Sequence, residues 1–248
     1  MKAKKNNTVY VWGEIEGNFV YSHTLYGRKF YRARLIVTRF SGTNDFIPIM
    51  VSEKLIDTDH DYSGDYVSVE GEMRSRNRHD YGKSHLDLYL LAKEIEIEDF
   101  LCSENIIYLD GYLCKKPVYR VTPLGREISE VILAVNRDYG ASYIPCICWF
   151  GNAREIVNFD VGTRIKLYGR VQSRSYQKKV SDTEIEIRTT YEVSVSEMEV
   201  VDETGNCGKK ADGSGDPGAD DGDGHVGGCG NDAGGFAMEE CEMGRGTF

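Results

Sequence analysis

Hydrophobic and polar positions alternate in five runs between residues 105 and 200. Segments 105–113, 128–136, 143–150, 163–174 and 189–200 are rich in β-branched and aromatic residues and place their apolar side chains at every second position. That period is the mark of half-buried strands. One stretch between the third and fourth runs breaks the alternation. NAREIVNF, residues 152–159, opens on an asparagine suited to cap a helix and spaces Ile156 and Phe159 three apart, which predicts two helical turns ended by Gly162.

The same pattern occurs earlier in the chain. Gly13 matches Gly111, Gly27-Arg28 matches Gly125-Arg126, Leu35 and Val37 match Leu133 and Val135, and Arg39 matches Arg137, all at an offset of 98. Gly71 and Gly169 keep that offset, while Phe46-Ile47-Pro48 and Tyr143-Ile144-Pro145 differ by 97, a slip explained by one deletion in a turn. So long a period indicates two similar domains, not a solenoid. Five strands with a short helix between the third and fourth fit the five-stranded Greek-key barrel called the OB-fold, whereas a sandwich needs more strands and no helix there. The expected fold is all-β: an arm at 1–7, one barrel at 8–100, a second at 105–201, each with its short helix, and a tail at 202–248. Glycines inside the strand patterns, Gly13, Gly71, Gly111 and Gly169, are expected at bulges or sharp bends.

Composition narrows the function classes. The longest apolar runs are a few residues, far from the roughly 20 of a membrane helix, and the opening MKAKKNNTVYVWGE lacks the apolar segment of a signal peptide. A cytoplasmic protein is expected. Seven cysteines form no C-x-x-C pair; Cys146 and Cys148 sit in an apolar run as core thiols, and Cys207, Cys229 and Cys241 with His225 have no regular ligand spacing. No metal and no cofactor are expected. The formal charge of -10 is uneven, because residues 202–248 hold 11 acids and 3 bases, leaving residues 1–201 near neutrality. That tail is rich in glycine and aspartate and is expected to be disordered, so a local basic face on the barrels can still attract phosphate.

Strand parity then sorts the side chains of the second copy. On the fourth strand Ile165, Leu167 and Val171 share one face, and Lys166, Tyr168, Arg170, Gln172, Arg174 and Tyr176 share the other. On the third, Ile144, Cys146, Cys148 and Phe150 take the core side, whereas Tyr143 and Trp149 face away with Pro145 and Ile147. Aromatic rings beside arginines on an outer barrel face suit an unpaired nucleic-acid strand, the rings stacking on bases and the guanidinium groups pairing with phosphates. A plain solvated face and a buried protein interface are the competing accounts. Arg137 and Tyr139 in the preceding turn, Arg126, and Lys178 and Lys179 in the following hairpin extend the candidate groove.

Taken together, NIIYLDGYL, KKPVYRVTPLG, LAVNR, YIPCICW and YGRVQSRSY resemble, in order and spacing, the bacterial single-stranded DNA-binding protein family. The resemblance covers roughly residues 105–200. It implies base stacking by Tyr143, Trp149 and Tyr176, arginine contacts by Arg137, Arg170 and Arg174, and a four-barrel assembly reached here as a homodimer. It further implies a nucleoid-associated role in replication, recombination or repair.

The first copy departs from that pattern. Phe46 stands at the place of Tyr143, but Ser52 stands at that of Trp149 and Asn77 or Arg78 at that of Tyr176. Arg74, Arg76 and Arg78 keep a basic track, with Tyr81 in the next turn and Arg28 and Arg39 at the positions matching Arg126 and Arg137. Tyr10 and Trp12 share a face of the first strand and are assigned to an interface. The end GRGTF has the terminal Phe248 of the family's partner-docking tip without its flanking acid and proline, and Glu239, Glu240 and Glu242 lie upstream. Replication or repair proteins are the partners expected at this tail. Non-catalytic binding of single-stranded DNA is thus the main expectation, and a protein-interaction module the alternative. The cluster Asp57, Asp59, His60 and Asp61 is assigned to a polar loop, not to a metal enzyme.

Overall fold

The computed structural model describes residues 6–80, 83–100, 102–179 and 185–201. The described elements are, in the first half, β1 (Asn7–Leu25), β2 (Arg28–Thr38), β3 (Asn44–Ser52), β4 (Tyr66–Asp80) and β5 (Lys83–Ile97). The second half holds β6 (Asn105–Leu113), β7 (Val118–Val121), β8 (Glu127–Asn136), β9 (Ala141–Trp149), α1 (Phe150–Ile156), β10 (Arg164–Lys179) and β11 (Ile185–Val201).

The alternation closes both halves into barrels. β1 pairs with β2, β2 with β3, β3 in parallel with β5, β5 with β4, and β4 returns to β1. The second circuit runs from β6 and β7 through β8, β9, the parallel β11 and β10 back to β6. Inward positions are apolar and inaccessible: Leu35, Ile47 and Val51 in the first barrel, Leu133, Ile144 and Leu167 in the second. Each large aliphatic side chain so buried contributes roughly 1.5–3 kcal/mol. The strand glycines mark the bends. A Cβ on Gly71 would lie 2.2 Å from the Leu91 carbonyl oxygen and one on Gly169 2.3 Å from that of Ser194, both beside register shifts where the long hairpins leave the barrel.

Helix α1 starts two residues earlier than the asparagine pattern predicts. Trp149 is its extended N-cap residue, and Asn152 instead donates from Nδ2 to the Ser196 carbonyl at 3.1 Å. Ala153 and Ile156 point inward and close one end of the second barrel. The first barrel differs from expectation here, because residues 53–64 form turns and no helix. Side chains there compete for the backbone: Asp57 Oδ1 accepts from Asp59 N at 3.0 Å, Asp61 Oδ1 from Ser63 N at 3.1 Å, and Tyr62 Oη from Asp57 N at 2.9 Å. The buried Tyr62, with Leu55 and Ile56, closes the barrel in the helix's place.

The repeat also dictates how the barrels join. β1 and β6 pair antiparallel from Asn7 opposite Leu109 to Val11 opposite Asn105, centred on Val9 opposite Ile107. Those two residues are equivalent at the offset of 98, so the pair lies on a local two-fold axis. Hydrogen bonds obey the same symmetry. Asn7 bonds both backbone groups of Met73 (2.8 and 2.9 Å) and Asn105 those of Val171 (2.8 and 2.9 Å). Across the seam, Tyr143 N donates to Ser75 Oγ at 2.7 Å and Phe46 N to Ser173 Oγ at 2.9 Å. Trp12 is satisfied within the chain: it is buried, packs 5.1 Å from Phe100 and donates from Nε1 to Tyr10 Oη at 2.7 Å. The expectation of a disordered tail at 202–248 lies outside the described residues.

Candidate nucleic-acid interface

The parity expected of β9 holds for most of its side chains, but Ile147, expected outside, is buried, and Phe150, expected inside, is 54% exposed because it opens helix α1. Ile144, Cys146 and Cys148 are fully buried, and burial pushes the Cys146 thiol well up and that of Cys148 up to about 12. Both are neutral packing groups at ordinary pH. On the outer side Tyr143 is 45% exposed and Trp149 half-buried, with its indole nitrogen donating to Ser194 Oγ at 3.0 Å. That bond holds the edge of the ring against β11 and leaves the stacking platform in a fixed orientation. Tyr139 stands 93% exposed in the β8–β9 turn, where Arg137 Nη2 donates to the Ala141 carbonyl at 3.1 Å.

The arginines of β10 are not beside β9, because β11 runs between the two strands. Ile147 lies opposite Ser194, and Ser194 opposite Arg170. Arg170 borders an open depression of about 320 Å³ that Ile106, Tyr168, Ser194 and Ser196 also line, so Ser194 links the indole to the arginine. Arg174 and Tyr176 project along the β10–β11 ribbon opposite Thr190 and Arg188. Arg174 is exposed and lies 3.7 Å from Glu192.

Two predicted contacts are engaged with acids of the protein itself. Gln172 is buried and donates to Glu192, also buried, at 2.7 Å. Arg39 of the first barrel grips the fully buried Asp45 through two bonds of 2.6 and 2.5 Å, and Asp45 Oδ1 also accepts from Ser173 N at 2.7 Å. The Asp45 hydrogen bond raises the Arg39 pKa, to which the nearby Glu192 charge adds. Arg170, in contrast, has its pKa lowered by burial and then by the neighbouring Arg39 charge. Gln172 is therefore engaged within the second barrel and Arg39 braces the carboxylate that crosses the seam, while Arg170 keeps a cationic group without an ion pair among the described residues.

The other seam lacks this arrangement. Ser142 takes the place of Asp45, buried with its hydroxyl unpaired, and Arg74 pairs with Glu72, which also holds Lys93. Arg78 pairs with Asp87 at 3.1 Å, and Arg76 is exposed. The side chains of Lys178 and Lys179, and all of Tyr81, lie outside what the structure describes.

The first barrel carries a row of groups of which the sequence pattern singles out only Arg28. On the outer face of β2, Arg28, Phe30, Arg32 and Arg34 alternate with inward residues, and Arg28, Arg32 and Arg34 are exposed. Arg34 pairs with Glu16 and sits 5.7 Å from the Phe46 ring centroid, while Phe30 stacks on His23 at 5.2 Å and 10°. Phe40 in the β2–β3 turn is fully exposed. The even spacing of Arg28, Arg32 and Arg34, four and two residues apart on one strand face, is the signal for this row, whereas the match with the second copy points to β4. Arg126 is exposed at the equivalent turn of the second barrel. Among the described residues no group of three or more His, Cys, Asp or Glu side chains is placed to hold a metal ion. His60 pairs with Asp65 at 2.7 Å.

Comparison with known proteins separates the two halves. Residues 104–201 match the model of the single-strand binding protein family. Single-stranded DNA-binding protein 3 of Listeria innocua is 37% identical over 93 residues, covering 33% of this chain and 58% of that protein. Single-stranded DNA-binding protein A of Bacillus subtilis is 34% identical over 83 residues, covering 30% and 48%. The chain thus spans about half the length of the curated relatives it matches. Over 79% of the chain, and 93% of the other protein, the fold is similar to the crystal structure of the single-stranded DNA-binding protein from Thermus aquaticus, with a TM-score of 0.65 and 19% identity. The likeness extends across both barrels even though the family model covers one, as expected where cores are kept and outer faces diverge. The second barrel, residues 104–201, is thus similar to the single-strand binding protein family.

Proposed function

We propose that the chain binds single-stranded DNA without catalysis and with little sequence preference, protecting it during replication, recombination or repair. The observation that carries this reading is the outer face of β9, where Tyr143 stays 45% exposed and Trp149 is braced by Ser194, with the half-buried Arg170 opposite Ser194 across β11 and the exposed Arg174 farther along β10. Stacking supplies sequence tolerance, and arginines supply a salt-dependent phosphate affinity. Titrating tryptophan fluorescence with oligo-dT tests it. Quenching, with a preference for single strands over duplex, is expected; neither appearing rules the reading out. The exposure of Tyr143 speaks for nucleic acid over a purely protein-binding role.

The chain acts as a homodimer of four barrels. Ile106 and Tyr168, each about half exposed, and the adjacent Tyr108, 4.9 Å from Tyr168 between ring centroids, give the outer sheet an apolar patch suited to a second copy. Mass measurement in solution checks this, a monomer at micromolar concentration being the contrary result. Residues 202–248 are the segment proposed to recruit replication or repair proteins, which a pull-down with and without that segment tests.

A further inference from the structure

One hairpin of the first barrel spends conformational energy on a side chain that touches nothing. β1 and β2 are joined by the two residues Tyr26-Gly27, both with positive φ, 48° and 74°, the geometry of a type I′ turn. Asn, Asp or Gly favours the first of these positions, and a tyrosine there is strained. Tyr26 returns nothing to the folded state, since its ring is 100% exposed and makes no hydrogen bond or ring contact among the described residues. A strained residue that persists without a structural return points to function.

The mount beneath this ring is rigid. His23 stacks on Phe30, Tyr21 meets Tyr31 edge-on at 6.0 Å, and Glu53 fastens β2 by accepting from Lys29 N at 3.1 Å while its own N–H donates to the Lys29 carbonyl at 3.0 Å. Around the tip the charge is positive. Arg28 and Arg32 on the outer face make no ion pair with a described residue, and Arg34 lies farther along the same row. The nearest acids on the packed strands are Glu53, bonded to backbone, and Glu16, paired with Arg34. A flat exposed ring on a stiff ribbon with unopposed arginines behind it has the chemistry of a base platform followed by phosphate contacts.

We infer that the β1–β2 hairpin of the first barrel is a separate single-stranded DNA subsite, with Tyr26 stacking on a base and Arg28 and Arg32 holding the adjoining phosphates. The inference rests on the reading of the whole chain as a single-stranded DNA binder. It also explains an exchange between the barrels: the residue equivalent to Tyr26 is Leu124, so the second barrel lacks an aromatic ring at this tip.

Tyr26→Asn separates this role from a structural one, because Asn-Gly is a preferred type I′ pair and the variant should unfold at equal or higher urea concentration than the parent. Its affinity for an oligo-dT long enough to span both barrels, measured in the full chain by anisotropy of a labelled strand, is expected to fall about five- to tenfold. Ultraviolet crosslinking of the parent to oligo-dT should place a crosslink within residues 21–32. Unchanged affinity with no crosslink there overturns the inference and leaves the exposed tip to a protein partner. A loss for Trp149→Ala alongside unchanged Tyr26→Asn removes this subsite only, whereas parent protein that does not bind oligo-dT removes the underlying reading.

Discussion

At the third strand of the repeat, Trp149 in the second barrel corresponds to Ser52 in the first; at the hairpin tip, Leu124 corresponds to Tyr26. On the second strand the exchange runs the other way in charge, since Ile128, Glu130 and Ile132 correspond to Phe30, Arg32 and Arg34. Inside the barrels almost nothing of this kind occurs. Leu35 and Leu133, Val37 and Val135, Ile47 and Ile144 fill equivalent buried places. Close packing punishes a change of volume by kilocalories, while an outward side chain is limited only by what it must bind, so duplicated barrels keep cores and trade faces.

The seams offer the largest effect with which to break the comparison. Asp45→Ala should cost about 2–4 kcal/mol of stability, because it removes the buried carboxylate that holds the partly exposed Arg39 and leaves the Ser173 backbone donor across the interface without its acceptor, read as a fall in urea midpoint. Its counterpart Ser142→Ala should be neutral or slightly stabilising, since the buried hydroxyl there has no partner to lose. Equal losses would show that the two seams are equivalent after all.

Binding comes next in size. Trp149→Ala should cost roughly 1–3 kcal/mol of oligo-dT affinity and Phe46→Ala less, by anisotropy titration. If the two losses match, the first barrel's third strand stacks as well as the second's. The arginine row of β2 makes a different prediction: replacing both Arg28 and Arg32 by Gln should flatten the salt dependence of log K by about 1.4, at about 0.7 per phosphate contact. An unchanged slope would remove that row from the binding surface.

The smallest effect is alkaline. Cys146 and Cys148 exist only in the second barrel, where Ile49 and Val51 are their counterparts in the first. Their folded pKa values lie above the ordinary thiol range, that of Cys148 at about 12, so the unfolded chain ionises first as pH rises. The contribution is intact below about pH 8.5 and is lost progressively above it, through about 12. Denaturation at pH 7.5 and 10 should show a decline that the double variant Cys146→Val, Cys148→Val lessens.

Much of this architecture was legible in the chain. Parity alone put Cys146 and Cys148 inside and Tyr143 and Trp149 outside, because a strand has only two faces. The offset of 98 found both barrels. It misled where local chemistry diverged: a helix was expected in the first barrel, but Asp57 and Asp61 bond their own backbone there and leave turns. Helix α1 was misplaced by two residues because Asn152 reaches across to Ser196 instead of capping. Arg170 was taken as adjacent to the third strand, since a one-dimensional reading does not reveal that the fifth strand inserts between them.

The repeat, most of the inward and outward assignment along each strand, and the second barrel's resemblance to the single-strand binding proteins are therefore written in the chain itself, because they depend on local pattern and spacing. Folding in three dimensions settles that Gln172 is bonded to Glu192 and Arg39 to the carboxylate at a seam, that Asp45 serves one interface and Ser142 the other, and that Tyr26 stands strained and alone at a hairpin tip. Those outcomes depend on which groups meet across more than 100 residues of chain, as Asp45 and Ser173 do, and on backbone angles that closure of the barrel imposes.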